Sequence, residues 1–394
     1  MLDFPNEKNE TPMPKNDSAQ RALLAHKKLH GKIEVVSKVK VVKPADLSVY
    51  YSPGVGAVSS YLAKYPQKAR DYTIRRNTVA VVSDGSAVLG LGNIGPVGAL
   101  PVMEGKAMLF KTFANVDAFP IVLATQDVEE IVETVVRIAP TFGGINLEDI
   151  AAPRCFDIEA RLKELLDIPV FHDDQHGTAM VVLAGLLNAL AVVKKKIATA
   201  RIVIAGAGAA GHAIAELLRL GGALDIVMLD SKGILSKDRG DLDMFKRQLL
   251  TVTNPRNISG SIVEALTRAD VFVGVSKGGT VTTAMIRTMA KNSVVFALAN
   301  PVPEIMPSEA KKAGAAVVAT GRSDFPNQLN NCLGFPGIFR GALDHGVRNI
   351  TNEMLVKAAV KLAKLISRPT AELIIPSPFD TRVVPAVASA IRGR

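Results

Sequence analysis

The strongest constraint on the fold is a glycine-rich turn between a strand-like run and a helical run. Residues 201–205 (RIVIA) are apolar and β-branched, and residues 213–220 continue as an apolar helix. The turn between them has the pattern G-x-G-x-x-G and consists of Gly206, Ala207, Gly208, Ala209, Ala210 and Gly211. The first glycine permits a tight turn, the second lets the backbone approach a pyrophosphate, and the third lets the helix pack closely on the strand. The pattern therefore predicts a dinucleotide site, with a tight turn that binds no ligand as the simpler alternative.

An acidic residue at the end of the next strand supports this prediction. The strand-like run 225–229 leads into Asp230, nineteen residues after Gly211, where a carboxylate binds the ribose hydroxyls of the adenosine. By its charge, Asp230 favours NAD. Lys232, two residues later, would instead suit the 2′-phosphate of NADP. Both dinucleotides stay open, with NAD as the preferred hypothesis.

Strand-like and helical segments alternate along most of the chain. Strands are predicted in the second half at 201–205, 225–229, 271–275, 294–298 and 316–318, and in the first half at 78–82, 119–124 and 168–171. Such alternation is typical of parallel sheets covered by helices on both faces. We predict an α/β protein with two domains, an N-terminal α/β catalytic domain and a C-terminal doubly wound sheet of the Rossmann type. The predicted ranges are a disordered tail at 1–17, the catalytic domain at 18–177, and the dinucleotide domain with its C-terminal helices at 178–394.

Composition and charge narrow the class of protein. The net charge is +10, but the basic residues are scattered, and the chain has no Trp and few aromatic residues, so we expect no nucleic-acid partner. The two cysteines, Cys155 and Cys332, are far apart, which fits a reducing compartment. The first twenty residues are polar and Pro-rich, unlike a secretory signal, and the apolar stretch 179–193 is too short to span a bilayer. We expect a cytoplasmic protein with no membrane association.

Two adjacent pairs of carboxylates follow strand-like segments of the first half. Glu148 and Asp149 form one pair, and Asp173 and Asp174 form the other. The carboxyl ends of parallel strands meet at one edge of a sheet, so both pairs are expected to converge there. Converging carboxylates need a cation, and hard oxygen ligands favour Mg²⁺ or Mn²⁺. Solvation or helix capping is the alternative for either pair alone. The neighbouring His172 and His176 could suggest zinc, but no Cys or third His is near in the sequence, so we expect them to support the ligands or to be structural.

Taken together, these motifs resemble the short bacterial form of malic enzyme over essentially the whole chain after the tail. The matching stretches are YSPGV at 51–55, VAVVSDG at 79–85, LGLG at 89–92, PVMEGK at 101–106, GGINLED at 143–149, FHDDQHGT at 171–178, GAGAAG at 206–211, FALANP at 296–301 and FPNQLNN at 325–331. The resemblance implies oxidative decarboxylation of malate to pyruvate and CO₂, with reduction of NAD or NADP and a requirement for Mg²⁺ or Mn²⁺. It also implies a homodimer.

The resemblance assigns a role to individual residues. Glu148, Asp149 and Asp174 resemble the metal ligands of that family. Lys106 resembles its general base, Asp173 the hydrogen-bonding partner of that base, and Tyr51 its general acid. Asn300 and Asn331 resemble residues that contact the substrate and the nicotinamide side of the pocket. To accept the hydroxyl proton of malate, Lys106 must be neutral, so its pKa is expected to be lowered.

Two positions of the chain depart from the wider family. Ala87 stands where the larger form of malic enzyme has a substrate-binding Arg, so another group must hold the second carboxylate of malate. Lys277, in a loop expected to border the cofactor, is a further candidate for altering cofactor preference.

Three alternatives to a malic enzyme stay open. They are a malolactic-type enzyme that releases lactate, a metal-free dehydrogenase of the amino-acid type, and an NAD-binding sensor without activity.

Overall fold

Two sheets of mainly parallel strands form the frame of the protein. The computed structural model describes residues 17–88 and 90–393, so the predicted disordered tail at 1–17 lies outside the described residues except for its last position. The first sheet is built from the first half of the chain and the second from the second half. The predicted α/β class, with a Rossmann-type sheet in the second half, is confirmed.

The first sheet brings two strand ends side by side. Its strands are β1 (Thr78–Ser83), β2 (Asp117–Val122), β3 (Gly144–Leu147) and β4 (Val170–His172). They lie in the order β2-β1-β3-β4, and all of the pairs are parallel. Leu147, at the end of β3, pairs with His172, at the end of β4. The residues that follow these two strands therefore leave the sheet at the same edge.

The second sheet has the topology that creates a ligand cleft. Its strands are β5 (Arg201–Ala205), β6 (Asp225–Asp230), β7 (Gly233–Ile234), β8 (Val271–Gly274), β9 (Val294–Ala297) and β10 (Val317–Thr320). Their order is β10-β9-β8-β5-β6-β7, and only the short β7, which was not predicted, is antiparallel to its neighbour. After β5 the chain continues to β6 on one side, and after β8 it continues to β9 on the other side. Such a switch point between β5 and β8 opens a crevice at the carboxyl ends of these strands.

Helices cover both sheets and make up the two ends of the described chain. They are α1 (Asp17–Leu29), α2 (Pro44–Tyr50), α3 (Gly54–Lys64), α4 (Ala69–Tyr72), α5 (Gly95–Ala114), α6 (Val128–Ile138), α7 (Arg154–Leu165), α8 (Asp173–Val192), α9 (Ala209–Leu220), α10 (Met244–Leu249), α11 (Ile262–Leu266), α12 (Thr283–Arg287), α13 (Pro307–Lys312), α14 (Phe335–His345), α15 (Asn352–Ala363) and α16 (Val383–Ala388). Short 3₁₀ helices lie at Pro66–Lys68, Ile74–Arg76, Ala139–Thr141 and Asn331–Leu333. Helices α2, α3 and α4 bury no residue, which explains why no apolar periodicity predicted them.

One hydrophobic core runs between the two sheets. Val79 and Val81 of β1 pack into it, and so do Ile202 and Ile204 of β5. The alternate residues of the same strands face outward into two smaller cores, one under α6 and α7 and one on the outer face of the second sheet. Because strand side chains alternate between faces, each sheet is buried on both sides, as a parallel sheet requires.

Helix α8 is the central element of the shared core. It begins directly after β4, at Asp173, and packs against α9 and α15 of the second half. Helix α8 begins more than one turn before the apolar stretch 179–193, and the predicted domain boundary after residue 177 falls inside it. Within the described residues, α8 alone is long and apolar enough to cross a membrane, but most of it is buried in the fold, as in the core helix of a globular protein.

Candidate active site

Two neighbouring segments of the chain supply the acidic residues of the candidate site. Glu148 and Asp149 follow β3, whereas Asp173 and Asp174 form the first turn of α8, directly after β4. Glu148, Asp149 and Asp173 are buried, and Asp174 is half-buried. The two pairs meet because β3 and β4 are adjacent and parallel, as the strand-end argument predicted.

Glu148, Asp149 and Asp174 form a compact group of carboxylates, hereafter the carboxylate cluster. Each offers an oxygen, and these oxygens all lie within 4.8 Å of one another. The backbone N–H of Asp149 donates a hydrogen bond to Oδ2 of Asp174 over 2.7 Å. Asp149 has a φ of +53°, in the left-handed region that non-glycine residues rarely adopt. Such strained backbone is concentrated at functional sites, because surrounding contacts must hold it in place.

Lys106 of α5 reaches the same place from the opposite side. Its ammonium donates to Oε1 of Glu148 over 2.5 Å and makes a further short contact with Oδ2 of Asp173. Only 6% of the Lys106 side chain is exposed. Lys106 is therefore held between one member of the carboxylate cluster and the adjacent aspartate, which is the partner that the resemblance assigned to it.

The charges in this buried region do not balance. Three carboxylates, those of Asp173, Glu148 and Asp174, act on the single ammonium group of Lys106, and burial raises the pKa of Glu148 and of Asp173 to about 7, against the opposing effect of that ammonium. Burial alone would lower the pKa of Lys106, but Asp173, Glu148 and Asp174 outweigh it and raise that pKa. Among these side chains the pKa of Lys106 is therefore shifted in the direction opposite to the one that its role as a base requires. Carboxylates that converge in a largely buried place, with oxygens as the donor atoms, fit a hard divalent cation such as Mg²⁺ or Mn²⁺.

Small and amide side chains support the acidic residues. A Cβ on Gly177 would lie 1.8 Å from Oδ1 of Asp173, so only glycine at this position leaves room for that carboxylate against α8. The buried Asn146 donates from Nδ2 to Oε2 of Glu148 over 3.0 Å. Sequence reasoning missed Asn146, although its position on β3, two residues before Glu148, places it on the same face of the strand.

The two histidines beside the second pair lie outside the carboxylate cluster. His176 contacts Glu159 of α7 with Nε2 2.9 Å from Oε2, and the backbone N–H of His172 donates to the other oxygen of Glu159. His172 is completely buried, and burial lowers its pKa to about 4, so its ring is neutral. These contacts fit the predicted structural role.

Three other residues named from the resemblance lie at different distances from the cluster. Asn331 begins a 3₁₀ helix, and a Cβ added at Gly177 would lie 3.5 Å from the Cβ of Asn331 as well as 1.8 Å from Oδ1 of Asp173. The carbonyl of Asn300 lies against Gly90, where a Cβ would come within 2.1 Å. Tyr51 is 69% exposed, and no side-chain hydrogen bond or ring contact within the described residues joins it to the cluster. The fold thus brings Asn331 to Asp173 but leaves Tyr51 outside.

The glycine-rich turn opens on a large cleft at the switch point of the second sheet. A cavity of about 850 Å³ is lined by Gly206, Gly208, Asp230, Lys232 and Lys277 among others. Gly206 has a φ of +122°, and a Cβ on Gly211 would lie 1.8 Å from the carbonyl oxygen of Gly206. A Cβ on Gly208 would meet nothing within 4 Å, and α9 starts there without a side-chain cap. This open helix N-terminus fits a dinucleotide pyrophosphate.

Two family descriptions match this architecture. The family model "Malic enzyme, N-terminal domain" matches residues 30–163, which hold strands β1, β2 and β3 of the first sheet together with Lys106, Glu148 and Asp149. The family model "Malic enzyme, NAD binding domain" matches residues 175–390, which hold the second sheet and its cleft.

Individual relatives are similar over nearly the full chain. A bifunctional malic/malolactic enzyme of Bacillus subtilis is 55% identical over 94% of this chain and 92% of its own length. An NAD-dependent malic enzyme of Geobacillus stearothermophilus is 53% identical over 95% of this chain and 78% of its own length. The crystal structure of an NAD-dependent malic enzyme from Thermotoga maritima superposes with a TM-score of 0.91 at 51% identity, covering 94% of this chain and 99% of that one. The carboxylate cluster, the dinucleotide cleft and these similarities together show that this chain belongs to the malic enzyme family.

Proposed function

We propose that this protein catalyses the oxidative decarboxylation of malate to pyruvate and CO₂, with reduction of NAD or NADP. The observation that carries the proposal is the position of Lys106, held between Glu148 and Asp173 beside the carboxylate cluster. A hydroxy acid in this space would place its hydroxyl next to both an amine and a group of metal-type ligands. The family to which the chain belongs supports the same reaction.

In this proposal the residues of the chain move two protons. Lys106 takes the hydroxyl proton of malate while the hydride from the same carbon leaves for the nicotinamide. Asp173 accepts a hydrogen bond from Lys106 and orients its amine. Loss of CO₂ from the resulting β-keto acid leaves an enolate, and Tyr51 protonates its carbon to give pyruvate. Asn300 and Asn331 position the substrate next to the nicotinamide.

Two bound groups complete the proposed site. A divalent cation held by Glu148, Asp149 and Asp174 would neutralise the carboxylate charge that keeps Lys106 protonated, and would polarise the substrate hydroxyl. The dinucleotide would lie across the turn of Gly206, Gly208, Ala209, Ala210 and Gly211, with its adenosine end near Asp230 and Lys232. The donor set and the open cleft support both placements.

The exposed position of Tyr51 leads us to include a second copy of the chain in the proposal. Residues 17–76 carry many exposed apolar side chains, among them Leu24, Val36, Tyr50 and Tyr51. No residue from 19 to 77 is buried within one copy of the chain, and so long a segment with many exposed apolar side chains indicates an interaction surface. We infer that the protein is a homodimer in which this segment forms the interface, and that the partner copy brings Tyr51 to the substrate.

Mixing two inactive variants tests this part of the proposal. Tyr51→Phe and Lys106→Ala are each expected to be inactive as pure dimers. If Tyr51 acts across the interface, exchange of subunits creates sites with both groups intact, and activity returns. A monomer in light scattering, or no recovery despite proven exchange, would show that Tyr51 does not act in this way.

The malolactic reaction is a second candidate, because the relative from Bacillus subtilis is named for both activities. The two reactions differ in the fate of the reduced cofactor. Malate with Mn²⁺ and either dinucleotide should give pyruvate and an equal amount of reduced cofactor. Lactate without net formation of NADH would favour the malolactic enzyme. Full activity after exhaustive chelation would favour a metal-free dehydrogenase, and dinucleotide binding without any turnover would favour a sensor.

A further inference from the structure

The acidic residue predicted to bind the adenosine ribose is already fully engaged by the protein. Oδ1 of Asp230 accepts hydrogen bonds from the backbone N–H of Lys232 at 2.9 Å and from Nη1 of Arg239 at 2.7 Å. Oδ2 accepts from Nη2 of Arg239 at 3.1 Å and from Nζ of Lys246 at 2.9 Å. A carboxylate oxygen has two lone pairs, so both oxygens of Asp230 are saturated. A ribose hydroxyl can donate to Asp230 only by displacing one of these donors.

Arg239 donates to Asp230 through two N–H groups, and both side chains are largely buried, so this ion pair is stable. Only 8% of the Asp230 side chain and 16% of the Arg239 side chain are exposed. Paired N–H donors from one guanidinium are among the strongest contacts to a carboxylate. Although burial raises the pKa of Asp230, the hydrogen bonds from Arg239 and Lys246 outweigh it and lower that pKa to about 2. Asp230 therefore stays ionised and holds both cations in place.

The cations around Asp230 lie at the mouth of the dinucleotide cleft. Lys232 and Lys246 line the cavity beside Asp230, and Lys277 lines it as well. Two further carboxylates belong to this region: Asp241, which pairs with Lys232 and Arg239, and Asp243, which caps α10. The region thus holds four basic side chains (Lys232, Arg239, Lys246 and Lys277) and three carboxylates (Asp230, Asp241 and Asp243), which leaves one positive charge in excess. The charge of Asp230 that would repel a 2′-phosphate is thus more than offset.

We propose that Arg239 and Lys246, fixed by Asp230, determine the dinucleotide preference of this protein and make its adenosine pocket tolerant of the 2′-phosphate of NADP. Lys246, which faces the cavity, contacts the phosphate together with Lys232, and Arg239 is the positioning residue that keeps Asp230 from repelling it. This inference rests on the proposed function, since it assumes that the cleft binds a nicotinamide dinucleotide. It reverses the charge argument by which Asp230 favoured NAD.

Direct binding measurements test the proposal independently of turnover. The dissociation constants of NADH and NADPH are measured by the fluorescence of the bound nicotinamide, and those of 5′-ADP and 2′,5′-ADP by calorimetry. We expect the wild-type protein to bind NADPH within about tenfold of NADH. Lys246→Ala should weaken NADPH and 2′,5′-ADP by roughly ten- to a hundredfold, the range for one charge-assisted contact, and NADH and 5′-ADP by less than about threefold.

Two further variants complete the experiment. Arg239→Lys keeps the charge but loses the bidentate contact, so it should weaken 2′-phosphorylated ligands selectively. This conservative replacement is used because Arg239→Ala would leave Asp230 partly buried without its main partner and could disturb folding. Lys312→Ala, on α13 at the far edge of the sheet, is the control and should change none of the four constants. Equal losses for phosphorylated and unphosphorylated ligands in Lys246→Ala would overturn the inference and leave the proposed function intact. If the wild type bound no dinucleotide, both would be wrong.

Discussion

The ammonium of Lys106 lies 4.3 Å from the centre of the Phe335 ring. This contact joins α5, which belongs to the first half of the chain, to α14, which belongs to the second. Phe335 is fully buried and also packs edge-on against Phe110 at 4.7 Å. A cation over a desolvated aromatic ring is held by the ring quadrupole, so Phe335 helps to fix the Lys106 side chain.

Replacing Phe335 by Leu should therefore affect both stability and the position of Lys106. We expect the free energy of unfolding to fall by roughly 1–3 kcal/mol, because a buried ring is truncated. We also expect kcat to fall while the KM for malate changes little. Urea unfolding and initial rates measure the two effects. Phe379→Leu, which changes an exposed ring, is the control. If Phe335→Leu is destabilised but keeps its kcat, Phe335 contributes only to packing and does not position Lys106.

Removal of the Lys106 amine tests its role as the base. Lys106→Ala should lower kcat by about 10²–10⁴-fold, the usual contribution of a general acid or base. Lys111→Ala on the same helix removes an exposed ammonium paired with Asp117 and should keep normal turnover. Near-normal kcat in Lys106→Ala would exclude it as the base. Before the rates are compared, the urea midpoint of unfolding of Lys106→Ala is measured to show that this variant is folded.

Loss of one carboxylate from the cluster should be visible in metal binding. Asp174→Ala is expected to raise the Mn²⁺ concentration for half-maximal activity by roughly tenfold or more, and chelation should abolish wild-type activity until Mn²⁺ is restored. Mn²⁺ should also raise the melting temperature of the wild type but not of this variant. Asp157→Ala, an exposed residue of α7, is the matched control. An unchanged Mn²⁺ dependence would remove Asp174 from the ligands.

Two glycines of the same turn should respond differently to Ala. In Gly211→Ala the new Cβ would collide with the carbonyl oxygen of Gly206, and we expect a loss of roughly 1–3 kcal/mol of stability together with weaker NADH binding. In Gly208→Ala the Cβ enters open space in the cleft, so stability should change by less than about 1 kcal/mol while NADH binding weakens. Equal stability losses in both variants would contradict this distinction.

Both thiols should be unreactive in the native protein at neutral pH. Burial raises the pKa of Cys155 to about 12, with a further contribution from Asp174, and burial likewise raises that of Cys332 to about 12, against the opposing effect of Lys106. The thiolate is the reactive form, so alkylation at pH 8 should be slow and should speed up only as pH rises towards these values. Denatured protein, with ordinary thiol pKa values near 8.5, is the control. Equally fast alkylation in both states would argue against this burial.

Apolar runs made the sheets predictable, whereas helix starts were less so. The strands at 201–205 and 225–229 were predicted within one residue, because central parallel strands are continuous apolar runs. Helix α5 begins at Gly95 and carries Pro101 inside, although Pro is more typical of the first turn of a helix. Helix α8 begins with Asp173 and Asp174, whose acidic side chains suit a helix N-terminus but carry no apolar periodicity.

The site was predictable only as far as it follows strand ends. The convergence of Glu148, Asp149 and Asp174 follows from the adjacency of β3 and β4. The ion pairs of Asp230 with Arg239 and Lys246 depend instead on how the segment after β7 folds back towards the end of β6. No spacing in the sequence predicts that path of the chain. The pKa of Lys106 was expected to fall with burial, but its direction depends on how many carboxylates surround it.

Helix α8 also bears on whether the two halves of the chain can exist apart. Its first turn carries Asp173 and Asp174, while its remaining turns are buried against α9 and α15. A fragment ending at residue 177 would lose the helix that supports the acidic turn, and a fragment starting at 178 would lose that turn and the packing of α8 against β4. The halves are therefore expected to melt in one calorimetric transition, so that separately expressed halves would be mutually dependent fragments rather than modules.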